Sequence, residues 1–289
     1  MPLRFGDHSL DLSRPRIMGV LNTTPDSFSD GGSYYREGRL SLSLAVDRAR
    51  QMLAEGADII DVGGESTRPG STPVGEAEEL ERVVPVVEAL VRELGALVSV
   101  DTSSPAVMRE SARAGAGLIN DVRALRREGA LVAARATGLP VCLMHMQGQP
   151  QTMQERPEYE DPVLEVKAFL QERVGACLQA GFTPEQLLLD PGFGFGKSLA
   201  HNLDLLRRLP EFARMGYPLL VGLSRKSMLG KLLGRDLAER LPGSLALAMA
   251  SAQRGAAIIR VHDVAATRDV LRVWAALEAP AGTDPQTLE

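Results

Sequence analysis

Carboxylates, carboxamides and cations recur in this chain at one kind of place, the end of a short apolar run. Asn22 closes RIMGVLN, Asp101 lies in LVSVDT, Asn120 and Asp121 in GLINDV, and Asp190 in QLLLDPG. Ser224, Arg225 and Lys226 follow PLLVGL, and Arg260 and His262 close AIIRVH. Any one of them has an ordinary explanation, because turns favour Asp and Asn. Their repetition is harder to explain that way. If the apolar runs are parallel strands, these groups converge on one mouth, where they would hydrogen-bond a polar ligand and hold a small anion. Metal ligation by histidine finds little support. His8, His145, His201 and His262 form no HxH or HExxH pattern, and His145 and His201 read as packing or surface residues.

Two long connections flank that mouth. NTTPDSFSDGGSYYREG (Asn22–Gly38) follows the first run and GGESTRPGSTPVGE (Gly63–Glu76) the second. Connections in such folds normally run to a handful of residues, so this pair reads as lids carrying hydroxyls and the guanidinium of Arg68. The stretch DPGFGFGKS (Asp190–Ser198) is not a phosphate loop, because Pro191 occupies the position of the first Walker glycine. It reads as a glycine-rich turn that lets backbone approach a flat ligand.

The elements that must position these residues alternate. Strand candidates are Arg16–Asn22, Asp58–Gly64, Leu97–Thr102, Gly117–Val122, Pro140–Met146, Gln186–Gly192, Pro218–Arg225 and Ala257–His262. Each is nearly continuous in Val, Ile and Leu, as a strand buried on both faces requires. Helical periodicity covers Ser41–Gly56, Glu76–Leu94, Pro105–Ala114, Gly129–Ala136, Val163–Ala180, Leu199–Met215, Ser244–Arg254 and Val264–Leu277. Gly115, Gly138, Gly181, Gly216 and Gly255 repeat a helix-stop signal before the next strand. Eight β-then-α units predict a closed (β/α)8 TIM barrel over residues 16–279. Residues 1–15 read as an N-terminal hairpin closing the barrel floor, and residues 280–289 as a disordered tail. The alternative, an open doubly wound sheet, lacks its GxGxxG fingerprint.

Composition agrees. The chain has 289 residues, 44% hydrophobic and only 4% aromatic, which suits helices on a parallel sheet. A net charge of −5 argues against nonspecific nucleic-acid binding. No run approaches the ~18 apolar residues of a membrane span and no leader pattern opens the chain, so the expected location is cytoplasmic. Cys142 and Cys177, far apart, read as buried free thiols.

The motifs MGVLNTTPDSFSDGG, DVGGESTRPGS, VDTSSP, INDV, LMHMQG, LDPGFGFGK, VGLSRKS and IIRVHDV run from residue 18 to 264, and in this order they closely resemble the dihydropteroate synthase family. One departure is Thr23, where an aliphatic residue is expected. The resemblance implies transfer of a dihydropterin-6-ylmethyl group from its diphosphate to p-aminobenzoate, with release of pyrophosphate. It implies a pterin pocket of Asp101, Asn120, Asp190 and Lys226, and a diphosphate site of Asn22, Arg260 and His262, with Asn22 also reaching Mg²⁺. Thr67, Arg68 and Ser224 would take the aminobenzoate side, and Phe193 and Phe195 either line it or pack the turn. Asn22, Arg68, Lys226, Arg260 and His262 are the residues expected to act on the reaction itself. A homodimer paired through outer helices and a place among sulfonamide targets are further implications. Two other readings stand beside it: a corrinoid-dependent methyltransferase barrel, which shares the Asp…Asn…Asp pocket but not STRPG and SRK, and a non-catalytic pterin-binding paralogue.

Overall fold

The structure, a computed structural model, describes residues 2–6, 8–24, 35–36, 39–66, 74–148, 153 and 157–280. Its centre is a closed barrel of eight parallel strands. These are β1 (Arg16–Asn22), β2 (Ile59–Gly63), β3 (Val98–Asp101), β4 (Leu118–Asp121), β5 (Val141–Met144), β6 (Leu187–Asp190), β7 (Leu219–Val221) and β8 (Ala256–Val261). Neighbours pair in sequence order and β8 closes on β1, with Ile259 opposite Ile17 and Arg260 opposite Met18.

Helices surround the barrel. They are α1 (Leu42–Glu55), α2 (Glu76–Leu94), α3 (Pro105–Arg113), α4 (Ala130–Thr137), α5 (Pro162–Gln179), α6 (Leu199–Arg207), α7 (Leu209–Ala213), α8 (Ser227–Leu233), α9 (Leu241–Ala252) and α10 (Val264–Glu278). Three differ from expectation. The pattern over Leu199–Met215 breaks at Arg208 into α6 and α7, because Pro210 cannot donate the bond that would continue the helix. Helix α9 starts at Leu241 rather than Ser244, with Pro242 seated in its first turn. Helix α8 follows the SRK motif immediately, in the stretch between the strand expected to end at Arg225 and the helix expected from Ser244. Strand β7 is shorter than its apolar run, since its register with β8 shifts between Leu219 and Leu220.

The barrel interior is layered. Met18, Ile59, Leu118, Cys142, Leu188, Leu220 and Ile258 form one apolar tier, drawn from every strand except β3, with Leu97 just before β3 packed against it. Beneath it lies an antiparallel hairpin of Pro2–Phe5 and His8–Asp11, whose Leu3, Phe5 and Leu10 join the same cluster. Gly117 makes room for it: a Cβ there would lie 2.7 Å from the Phe5 ring. Because side chains alternate along a strand, residues two further on return to the interior one tier higher. Four of those residues are polar, Asp61, Asn120, Asp190 and Arg260, and the other three are Val20, Met144 and Gly222. The outer faces of the strands pack on the helices in the larger core. No helix among the described residues is long and apolar enough to cross a membrane.

Phe5 is 2% exposed, so Phe5→Ala should lower stability by about 3 kcal/mol in urea denaturation. A loss below about 1 kcal/mol would mean the hairpin does not seal the floor.

Candidate active site

The polar tier is organised by Arg260. Its Nε donates to Asp61 Oδ2 at 2.6 Å and its Nη2 to Asp101 Oδ2 at 3.0 Å. Asn120 Nδ2 donates to the same Asp61 oxygen at 3.3 Å, which turns the carboxamide oxygen away from Asp61. Asp61 is completely buried, and its second oxygen has no partner among the described residues. It sits in mid-strand rather than at a strand end. A carboxylate inside the otherwise apolar IIDVG is the signal that could have revealed it. Arg260, expected on the diphosphate side, bonds carboxylates through two of its nitrogens, and Nη1 makes no bond to a described residue.

Burial shifts Asp101, Asp190 and Lys226 from their ordinary ranges. Asp101 is lifted from the ordinary carboxylate range to about 8 by loss of solvent, then by the charge of Asp61, with Arg260 opposing. Asp190 is also raised by burial, against the pull of Lys226. Lys226 is pushed down to about 8 by burial, with Asp190 opposing.

Lys226 and Asp190 meet at the glycine-rich turn after β6. Asp190 Oδ1 accepts from Gly192 N at 2.7 Å. Lys226 Nζ donates to the Phe193 carbonyl and stands 4.5 Å from the centroid of the Phe195 ring. Phe195 therefore belongs to the site, whereas Phe193 is fully buried and packs the core. The turn needs glycine at 192, where φ is +70° and a Cβ would lie 1.8 Å from the His145 carbonyl oxygen. Lys197, also missed from sequence, holds the turn from below. It is 2% exposed, and its Nζ donates to Gly192 O at 2.9 Å and Phe195 O at 3.0 Å, and lies 2.9 Å from His145 Nδ1. Burial, then the Lys197 charge, holds the His145 imidazole at about 2, so it is neutral and suited to accept from Lys197, whose own amine burial pushes well below its ordinary range.

The remaining predicted residues adjoin this cluster. Asn22 and Asp101 flank Gly63, where a Cβ would lie 3.5 Å from Asp101 Cβ and 3.8 Å from Asn22 Oδ1. Ser224 Oγ accepts from His262 N at 3.2 Å and lies 3.1 Å from His262 Nδ1. Thr23 uses its hydroxyl: Oγ1 donates to Gly63 O at 3.1 Å, which explains a polar residue at a fully buried position. Asp121, adjacent to Asn120, faces outward and accepts from Ser103, Arg123 N and Leu125 N. It shapes the turn after β4. At the rim, Arg123 pairs with both oxygens of Glu65, at 3.0 and 3.2 Å. Thr67 and Arg68, most of the two long connections, and the expected tail beyond Pro280 lie outside the described residues. Cys142 and Cys177 are free and buried. Among the described residues no group of three or more His, Cys, Asp or Glu could hold a metal ion.

A buried set of acids and a carboxamide above an apolar floor, with cations beside it, defines a site for a flat ligand rich in N–H donors. The matching family model is that of the pterin binding enzymes, over residues 18–262. Dihydropteroate synthase of Escherichia coli K12 is 58% identical over 265 residues, covering 92% of each chain. The Yersinia pestis dihydropteroate synthase, solved as a sulfonamide drug complex, superposes with a TM-score of 0.92 at 54% identity, covering 96% of this chain and 99% of that one. The Xanthomonas albilineans enzyme, solved with 4-aminobenzoic acid, gives 0.89 at 50% identity, with 96% and 98% covered. This chain belongs to the dihydropteroate synthase family.

The Asp101 shift has a testable sign. The folded chain keeps a proton that the unfolded chain releases, so this group's contribution to stability falls as pH rises from about 4 to about 8 and is level above that. Asp101→Asn removes the loss, so its melting temperature relative to wild type should climb between about pH 5 and pH 8. A pH-independent difference would contradict the shift.

Proposed function

We propose that this chain catalyses the reaction for which its relatives are named. It transfers the dihydropterin-6-ylmethyl group from its diphosphate to the amine of p-aminobenzoate and releases pyrophosphate. The observation that carries the reading is the polar tier of buried Asp61, Asn120 and Asp190, with part-buried Asp101 beside them, above the apolar tier. A 2-amino-4-oxo pyrimidine edge presents adjacent N–H donors, and a carboxylate accepts two at once, each such bond contributing about 1.5–3 kcal/mol. Asp101 and Asp190 take those donors, Asn120 offers an acceptor and a donor, and Lys226 donates to the ring carbonyl and N5. Asn22, His262 and the Nη1 of Arg260 face the diphosphate, and Thr67, Arg68 and Ser224 the aminobenzoate.

The mechanism proposed is dissociative. The C9–O bond breaks first, and its electron pair leaves with the diphosphate. The electron-rich dihydropterin spreads the developing positive charge beside Asp101 and Asp190. The aryl amine then attacks C9 and loses a proton to solvent. The protein's task is to stabilise the departing anion and exclude water until the amine arrives. Asn22 is a single neutral oxygen donor, too little for Mg²⁺ alone. It fits an ion that arrives with the diphosphate, whose oxygens would complete its coordination, and such an ion would neutralise charge on the leaving group. A homodimer is the proposed assembly. Helix α10 leaves Val273 and Leu277 61% and 76% exposed, apolar surface that a second copy would cover.

Pyrophosphate release should require both substrates and Mg²⁺, with a sulfonamide competing against p-aminobenzoate. Binding of the pterin diphosphate without product would instead favour a non-catalytic paralogue. Lys226→Met should lower pterin affinity by about 1.5–3 kcal/mol in calorimetry. Arg68→Ala should raise the KM for aminobenzoate and leave pterin binding intact; wild-type aminobenzoate kinetics would remove Arg68 from the site.

A further inference from the structure

Arg225 stands between Ser224 and Lys226 with φ of 56°, a left-handed backbone that is unfavourable for a residue with a long side chain. Such conformations persist only where surrounding bonds over-determine them, and here they do. Arg225 N donates to Ser244 Oγ at 2.9 Å, and Arg225 O accepts from Arg240 Nη1 at 3.1 Å. Its guanidinium forks onto Asp263, Nε to Oδ2 at 2.9 Å and Nη2 to Oδ1. The pair is sheltered, with side chains 26% and 18% exposed. Asp263 directly follows His262, and Ser224 on the other flank of Arg225 is already bonded to His262. The turn after β7 and the end of β8 are therefore tied twice.

We infer that Arg225 is a positioning residue whose ion pair with Asp263 fixes the distance between Lys226 and His262, so that one substrate is gripped at its ring and at its diphosphate together. Glycine would adopt this backbone without strain but could not reach Asp263, and lysine could not fork onto both oxygens. The inference rests on the proposed function for the identity of that substrate. Ser224 keeps its own bonds to His262, so the aminobenzoate side is less dependent on the tie.

The test uses Arg225→Gly, Asp263→Asn and the double variant, with wild type in parallel. Kinetics are read for each substrate, binding of the pterin diphosphate by calorimetry, and melting by circular dichroism. Each single variant should raise the pterin diphosphate KM and Kd about tenfold and change the aminobenzoate KM less than about threefold. The double variant should be no worse than the weaker single one. Arg225→Gly should melt within a few degrees of wild type, because glycine relieves the backbone. Unchanged pterin binding in either single variant would overturn the inference. So would equal losses for both substrates that track a fall in melting temperature, or additive losses in the double variant. If wild type binds the pterin diphosphate but releases no pyrophosphate, the synthase reading fails, and the binding differences alone decide the role of Arg225.

Discussion

Asp61, Asp101 and Asp190 share the barrel's upper interior, and Arg260 and Lys226 stand among them. In a medium that penalises every charge, this set is stable only while cations and protons balance the acids. Arg260 carries most of that balance. Pinned between Asp61 and Asp101, it holds its own plane fixed, and Asp61 in turn orients Asn120. The cost appears at Asp101, which keeps a proton at neutral pH. A ligand edge bearing several N–H donors relieves that cost, because it offers hydrogen bonds to carboxylates that burial holds away from solvent. The recognition of such a ligand follows from the interior's charge balance rather than from any single residue.

The scaffold makes this arrangement affordable by keeping it off the structural core. One apolar tier and the N-terminal hairpin seal the space beneath it, and the helices pack against the opposite faces of the strands. The glycine turn after β6 is a second device. It brings backbone within reach of Lys226, and Lys197 clamps it through carbonyls rather than carboxylates. Burial pushes the Lys197 amine well below its ordinary range, so the clamp rests on hydrogen bonds to neutral acceptors rather than on charge. Two lysines thus meet the turn, Lys226 at the Phe193 carbonyl and Lys197 at the Gly192 and Phe195 carbonyls.

The barrel was legible in the sequence because both of its periodicities are strong: short Val, Ile and Leu runs, and amphipathic stretches ending at glycine. Helix ends moved where proline intervened, at Pro210 and Pro242, since periodicity does not register a missing N–H. Site residues at strand ends were legible for a topological reason, as all strand ends of one polarity share a mouth. Asp61 was not, because it lies in mid-strand and becomes polar-tier only through the two-residue alternation from Ile59. Lys197 sat in a motif judged by whether it bound phosphate, and a lysine that clamps its own loop leaves no separate pattern. Arg225 lay within a recognised motif, but its role depends on a backbone angle and a partner many residues away.

The claim that Asp101 waits, protonated, for a donor-rich ligand is tested most directly by counting protons. Calorimetric titration of a hydroxymethylpterin at pH 7, in buffers of differing ionisation enthalpy, measures proton exchange on binding. With Asp101 near 8 before binding and ionised after it, the account predicts release of about one proton per ligand. Binding with no net proton exchange would contradict it.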